Sequence, residues 1–185
     1  MNSKKTKELR ISTKDKPLNL TPVTAKDGSE IEVVSEIKLL GLWLSDNLKW
    51  NLHVDKIVAT ASSRLYLLTV LKTAATPKKE LLQFYFLKIR SIITYAFAAI
   101  CNMPKQQFQR LEKIERRAER IIGMEIRPKL AEFIKSRMNR MSAGIKIDED
   151  HRLKDLLIEN KRKKKLIAPI ARTTRYKDSF IKYFI

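Results

Sequence analysis

The residues of this chain that could do chemistry are mostly cations. Lys and Arg number 39 against 20 Asp and Glu, a formal net charge of +19. The carboxylates are not set out for catalysis. No two aspartates are adjacent, and the densest acidic patch, Asp148-Glu149-Asp150, falls in a predicted loop or helix start, where capping is the ordinary role. His53 and His151 are too few and too scattered for a metal site. The lone Cys101 excludes an internal disulfide and reads as a buried thiol at the end of an apolar run. There is no Gly-rich phosphate loop and no Ser, Cys or His arrangement suited to nucleophilic attack. What remains is an ordered set of cations. Arg110, Lys113, Arg117 and Arg120 each stand one residue ahead of an apolar stripe, and Glu112, Glu115 and Glu119 stand one residue behind it. The charges are thus sorted by sign on either flank of a buried seam. Stabilising i,i+4 pairs would mix them. A flank of cations attracts phosphate, and the competing reading is a solvated charged face.

The elements that must hold these residues follow from periodicity. Residues 104–123 predict a helix with Phe108, Leu111, Ile114, Ala118 and Ile121 as its apolar stripe and Gly123 at its left-handed end. Residues 52–72 predict another, with Val54, Ile57, Val58, Ala61, Leu65, Leu68 and Leu71 in register. A third begins at Pro77 and runs to about Ile100 with almost no polar face, so it is expected at the centre of a bundle. Pro128 opens a weaker helix toward Met141, and a further short one is expected over 148–160. Before residue 51 the pattern is strands and turns. Residues 7–11 and 30–34 read as short strands, with Asp27-Gly28 as a hairpin signal. Residues 36–44 read as one strand, apolar on both faces and hence buried on both, with Gly41 as a kink or close approach.

The order of these segments resembles a known family. Lys38-Leu39-Leu40-Gly41-Leu42, then Asn47-Leu48-Lys49-Trp50 and His53, is similar to the palm-to-thumb junction of reverse transcriptases from non-LTR (LINE-type, jockey-like) retrotransposons. Upstream, Asn2-Ser3-Lys4-Lys5-Thr6-Lys7 resembles the family's Asn-x-x-Lys-Thr segment. Downstream, Arg90-Ser91-Ile92-Ile93-Thr94-Tyr95, Leu111 through Gly123, and Arg175-Tyr176-Lys177-Asp178-Ser179-Phe180-Ile181 resemble its later segments. The resemblance implies that Leu40, Gly41 and Leu42 form the primer grip and that Lys5 is the palm lysine near the departing pyrophosphate. It implies that the helices are a thumb lying along a template–primer duplex. Arg110, Lys113, Arg117 and Arg120 would then touch the backbone, followed by Lys49, His53, Lys56 and Arg64. The family's two Mg2+ ions are held by an earlier strand and an aromatic–x–Asp–Asp turn, neither of which is in this sequence. The isolated chain is therefore expected to be catalytically silent and to need no cofactor of its own.

Together these readings give a mainly α chain: a helical thumb-like bundle over 51–123, a small antiparallel β portion over 1–50 as the end of the palm, and a basic helical or irregular tail over 124–185. The first fifty residues are nearly neutral, while the tail carries 17 basic against 8 acidic residues, including the run Lys161-Arg162-Lys163-Lys164-Lys165. The expected partners are an RNA–DNA or DNA duplex and the missing palm and fingers. No membrane is expected, because Lys88 and Arg90 interrupt the best apolar stretch, and no signal peptide opens the chain. A nuclear or cytoplasmic protein is the corresponding expectation. Two other classes compete: a basic helical adaptor binding protein through exposed apolar faces, and a basic membrane-surface module. Trp43 and Trp50 are expected to be buried more readily than to stack on bases.

Overall fold

The computed structural model describes residues 6–12, 20–100, 103–148, 150–151, 158–160 and 165–167. Lys5, Cys101 and the segment 175–181 lie outside the described residues. The chain is mainly helical and divides into two compact units, Met1–Ala59 and Thr60–Ile185.

In the first unit, β1 (Lys7–Leu9) pairs in parallel with β2 (Glu32–Val34). The expectation of an antiparallel β portion is corrected for this pair. The hairpin signal at Asp27-Gly28 closes Thr24 onto Glu30 instead, with Gly28 at φ +80°. The chain leaves that turn running in the same direction as β1. The longer prediction, a single doubly buried strand over 36–44, is also overturned. The segment folds into an antiparallel hairpin of β3 (Glu36–Leu39) and β4 (Leu42–Ser45), with Leu39 opposite Leu42. The two-residue loop Leu40-Gly41 has φ of +46° and +84°, the positive pair that a type I′ turn requires. Cross-strand partners share a face. Ile37, Leu44, Leu39 and Leu42 therefore form one apolar side, none of it fully buried.

Helix α1 (Asn51–Thr73) follows the predicted spacing, with Val54, Ile57, Ala61, Leu65 and Leu68 buried. The helix expected from Pro77 to Ile100 is broken. It runs as α2 (Lys78–Phe84), a π-helical segment (Tyr85–Arg90), α3 (Ser91–Ile93) and, after a turn with Ala96 at φ +49°, α4 (Phe97–Ile100). A π turn holds an extra residue and so rotates the face that follows it. Here Tyr85, Ile89 and Arg90 all turn inward, while Leu87 is left exposed.

Helix α5 (Lys105–Ile122) ends at Gly123, whose φ of +73° is the left-handed cap. Leu111, Ile114, Ala118 and Ile122 are its buried seam, with Phe108 and Ile121 at the margin. Helix α6 (Leu130–Ile147) is the helix expected from Pro128, and it runs on past Met141. Its Leu130, Ile134, Met138 and Ile145 are buried, as is Ile126 before it, so the packed helices continue past Gly123. Asp148 is the C-cap of α6, not the start of another helix. The helix expected over 148–160 is replaced, where described, by β5 (Ile158–Asn160) pairing antiparallel with β6 (Lys165–Ile167). No helix of the described residues is long and apolar enough to cross a membrane.

The hairpin tip yields a prediction. Leu40 is 83% exposed and holds a left-handed conformation that a leucine side chain disfavours. Leu40→Asn should raise the urea unfolding free energy by about 0.5–1 kcal/mol, because Asn-Gly is the preferred type I′ pair. An unchanged or lowered midpoint contradicts the turn geometry.

Candidate nucleic-acid interface

Of the four cations singled out on α5, three stand in the open. Lys113, Arg117 and Arg120 are exposed, and so is Arg116, which the stripe pattern left out. Arg110 is half-buried and donates from Nη1 to Gln107 Oε1 at 2.8 Å. From Lys113 to Arg120 the helix rises about 10 Å. No exposed carboxylate of α5 stands among these cations; the nearest, Glu112, is half-buried at the edge of the face, one turn before Arg116.

The other acids of the helix have gone inward. Glu115 is buried, and its Oε1 accepts from Arg90 Nη2 in an ion pair with both side chains inside. Its Oε2 accepts the Leu130 N–H at 3.0 Å. Glu119 Oε1 accepts the Ile126 N–H at 2.9 Å and the Lys129 ammonium at 2.5 Å. Burial alone would push the Glu119 carboxyl up. The Lys129 ammonium and the Ile126 N–H outweigh burial and hold it below its ordinary value. Glu125 makes a further pair with Lys129 at 3.2 Å, and Glu132 Oε2 takes the Lys129 N–H at 3.0 Å at the start of α6. The sorting of charges by sign thus has a cause. One sign joins α5 to the connection and to α6, and the other is left facing out. Exposed Lys135, Arg137 and Arg140 add cations on α6.

The remaining expected residues divide. Lys49 and Lys56 are exposed. Arg64 is half-buried and its guanidinium donates to the Lys88 carbonyl, within the π segment. It is therefore committed to a backbone oxygen. His53 is corrected outright. It is 3% exposed, its Nδ1 accepts the Trp43 N–H at 3.4 Å, and the Trp50 ring stands edge-on at 6.2 Å. Burial lowers its pKa and favours the neutral ring. It cannot reach a phosphate. Leu40 and Gly41 are exposed at the hairpin tip, and Leu42 is half-buried. Trp43 and Trp50 are both half-buried.

Glu115 is the functional neighbour that stripe reasoning misplaced. The signal for it was Arg90, a cation inside an apolar run, which needs a buried carboxylate somewhere else in the chain.

Among the described residues, no group of three or more His, Cys, Asp or Glu side chains comes together that could hold a metal ion. Comparison of the chain with protein-family models, with curated proteins and with solved structures finds no match.

Two predictions rest on this geometry. Glu115→Ala strands the Arg90 guanidinium and should cost about 3–5 kcal/mol in urea unfolding, whereas Arg90→Met with Glu115→Leu should recover most of that loss. Equal losses in the two variants would show that the pair is not the cause. The second concerns pH. The His53 pKa lies below its unfolded value of 6.5, so the unfolded chain binds the extra proton first and stability falls as pH drops below about 6.5. His53→Gln should flatten that part of the stability profile followed by circular dichroism; an unchanged slope would assign it elsewhere.

Proposed function

We propose that this chain is the primer-grip and thumb part of a non-LTR retrotransposon reverse transcriptase, holding a template–primer duplex by its sugar-phosphate backbone. The observation that carries this reading is the outer face of α5. Lys113, Arg116, Arg117 and Arg120 stand exposed along two turns with no exposed acid among them. Cations displayed this way bind phosphates without reading bases, so affinity is sequence-tolerant and falls steeply with salt. The hairpin tip adds support by itself. An exposed leucine held at positive φ breaks a local rule, and such breaks gather where function demands them. The thumb-like character of the bundle, the fragment's catalytic silence and its place in the nucleus or cytoplasm all belong to this reading. Among the described residues no three His, Cys, Asp or Glu side chains come together to hold a metal ion, and the reading assigns the family's Mg2+ to segments that are not in this sequence.

A second reading has its own observation. On α1, Tyr66 is 70% exposed, and Leu67 and Val70 are exposed beside it. That patch favours a protein-binding adaptor.

Salt separates the two. Binding to an RNA–DNA duplex should weaken linearly in log–log form as salt rises. Arg117→Ala with Arg120→Ala should reduce that slope by about 2, one for each phosphate that is no longer neutralised. Indifference to duplexes at low ionic strength overturns the proposal. Protein capture that is insensitive to salt and abolished by Tyr66→Ser supports the adaptor.

A further inference from the structure

We infer that the outward face of α1, from Ser63 to Thr73, docks a helix of another protein whose apolar stripe is bordered by carboxylates. The inference rests on the protein-binding reading of Tyr66, Leu67 and Val70 and adds the chemistry of the partner. It does not depend on whether α5 holds a duplex.

At about 100° per residue, Ser63, Tyr66, Leu67, Val70 and Thr73 fall within an arc of about 120°. All five are exposed, and the arc lies opposite buried Leu65 and Leu68. The face carries no charge, on a chain in which 32% of the residues are charged. It therefore offers a phosphate no cation. Covering it costs little. The Thr73 hydroxyl already donates to the Thr69 carbonyl at 3.1 Å, so burial strands no donor at that residue. The strip is about 15 Å long. Its three large side chains stand between the short ones of Ser63 and Thr73, a relief of ridge and groove into which a second helix packs.

The border of the face sets the partner's charge. Between Lys56 and Glu80 the chain has four cations, Arg64, Lys72, Lys78 and Lys79, and no acid. Arg64 stands about 60° beyond Leu67 around the helix. Its guanidinium donates to the Lys88 carbonyl, which places exposed Lys88 on the same flank. A second copy would bring these cations against their own kind, and a net charge of +19 on each chain adds to the repulsion. A basic helix meets the same penalty. Carboxylates on the partner's flanks remove it. Such rim charges act on encounter and on the choice of partner, while apolar contact carries most of the affinity.

The probes are two labelled helical peptides of about 20 residues. They share one Leu–Ala heptad stripe and differ only in flanks of Glu or of Lys. Fluorescence anisotropy with the full chain should show saturable binding of the Glu peptide, at least about tenfold tighter than that of the Lys peptide. Tyr66→Ser with Val70→Ser should weaken it by about tenfold or more, in a chain that circular dichroism shows to be folded. Arg117→Ala with Arg120→Ala should leave it unchanged. Loss in that α5 variant, with binding kept in the Tyr66 and Val70 variant, identifies the peptide as a mere polyanion and overturns the inference. Equal binding of the two peptides, lost in the Tyr66 and Val70 variant, overturns the acidic partner and leaves the protein-binding reading intact. Binding of neither peptide overturns the docked helix. A dimer in sedimentation, or sedimentation with phosphatidylserine vesicles, that is lost in the same variant overturns it in favour of a second copy or a lipid surface.

Discussion

Burying the guanidinium of Arg90 is the demand around which the helical unit is arranged. Hydrogen bonds meet it at Nη2, while Nε and Nη1 are buried without a protein partner. The residue is 2% exposed, and a charge so placed is tolerated only when paired and hydrogen-bonded. Glu115 supplies the carboxylate, and the Pro128 carbonyl accepts a second bond from the same nitrogen at 2.6 Å. The rings of Phe86, Phe133 and Tyr85 lie 5.0, 5.4 and 5.6 Å from the guanidinium carbon. The other oxygen of Glu115 holds the first N–H of α6. One carboxylate thus joins the π segment, α5 and the start of α6. The same environment pushes the Tyr85 hydroxyl far above its ordinary pKa, through burial first and the Glu115 charge second. A buried pair of this kind is weak evidence for net stability. Its clear effect is positional, because it fixes the rotation of α5 about its own axis. Residues two apart on a helix are about 200° apart around it. With Glu115 held inside, Lys113 and Arg117 must face out, and Arg120 and Arg116 fill the arc beside them. The open basic face is therefore a geometric consequence of a buried acid.

The π segment has a related logic. Widening a turn disturbs the regular i→i−4 ladder, and carbonyls left short of a donor must find one elsewhere. Side chains supply it here. Arg64 donates to the Lys88 oxygen and Ser91 Oγ to the Leu87 oxygen at 2.6 Å, while the Arg90 oxygen keeps the Thr94 N–H at 2.9 Å and accepts Thr94 Oγ1 as well. Arg64 thereby spends one of its guanidinium donors on the fold. Lys88, whose carbonyl is taken, keeps an exposed side chain. The segment reconciles an unbroken apolar run with one cation that has to point inward.

Periodicity made part of this legible. Helix α1 and helix α5 lie within a residue or two of where apolar spacing puts them, and Gly123 ends α5 as its type suggests. Both have an apolar seam and a polar remainder, so local pattern and tertiary packing agree. The failures are places where a long-range demand decides. The run after Pro77 is apolar all round and carries no phase information, so nothing local reveals that Arg90 breaks it. The hairpin at 36–45 was hidden because an exposed leucine occupies a turn position where Asn is usual. With both flanking strands apolar, the segment reads as one buried strand. Helix α6 is weakly patterned, yet Leu130, Ile134 and Met138, which are helically spaced after Pro128, are its buried seam; its run on to Ile147 is what spacing did not show. The partial legibility of the basic stripe is the most instructive case. Its cations were found by spacing, but Glu115 lies close enough to the seam that one helical step decides between flank and core.

The hairpin and α5 illustrate two ways in which a surface departs from the choice that stability alone would make. On α5 the cations cost the fold little, because Glu115 and Glu119 are already engaged inside or at the margin, and like charges on an exposed helix face are screened by solvent. At the hairpin tip the cost is local and direct. Leu40 gives up both burial and a favoured backbone conformation. Selection for stability alone would place asparagine there and would set acids among the outward cations of α5. The chain does neither. Under the duplex-binding reading proposed above, both departures have one rationale: the cations would meet a polyanion, and the exposed leucine would meet a backbone or side chain of that partner.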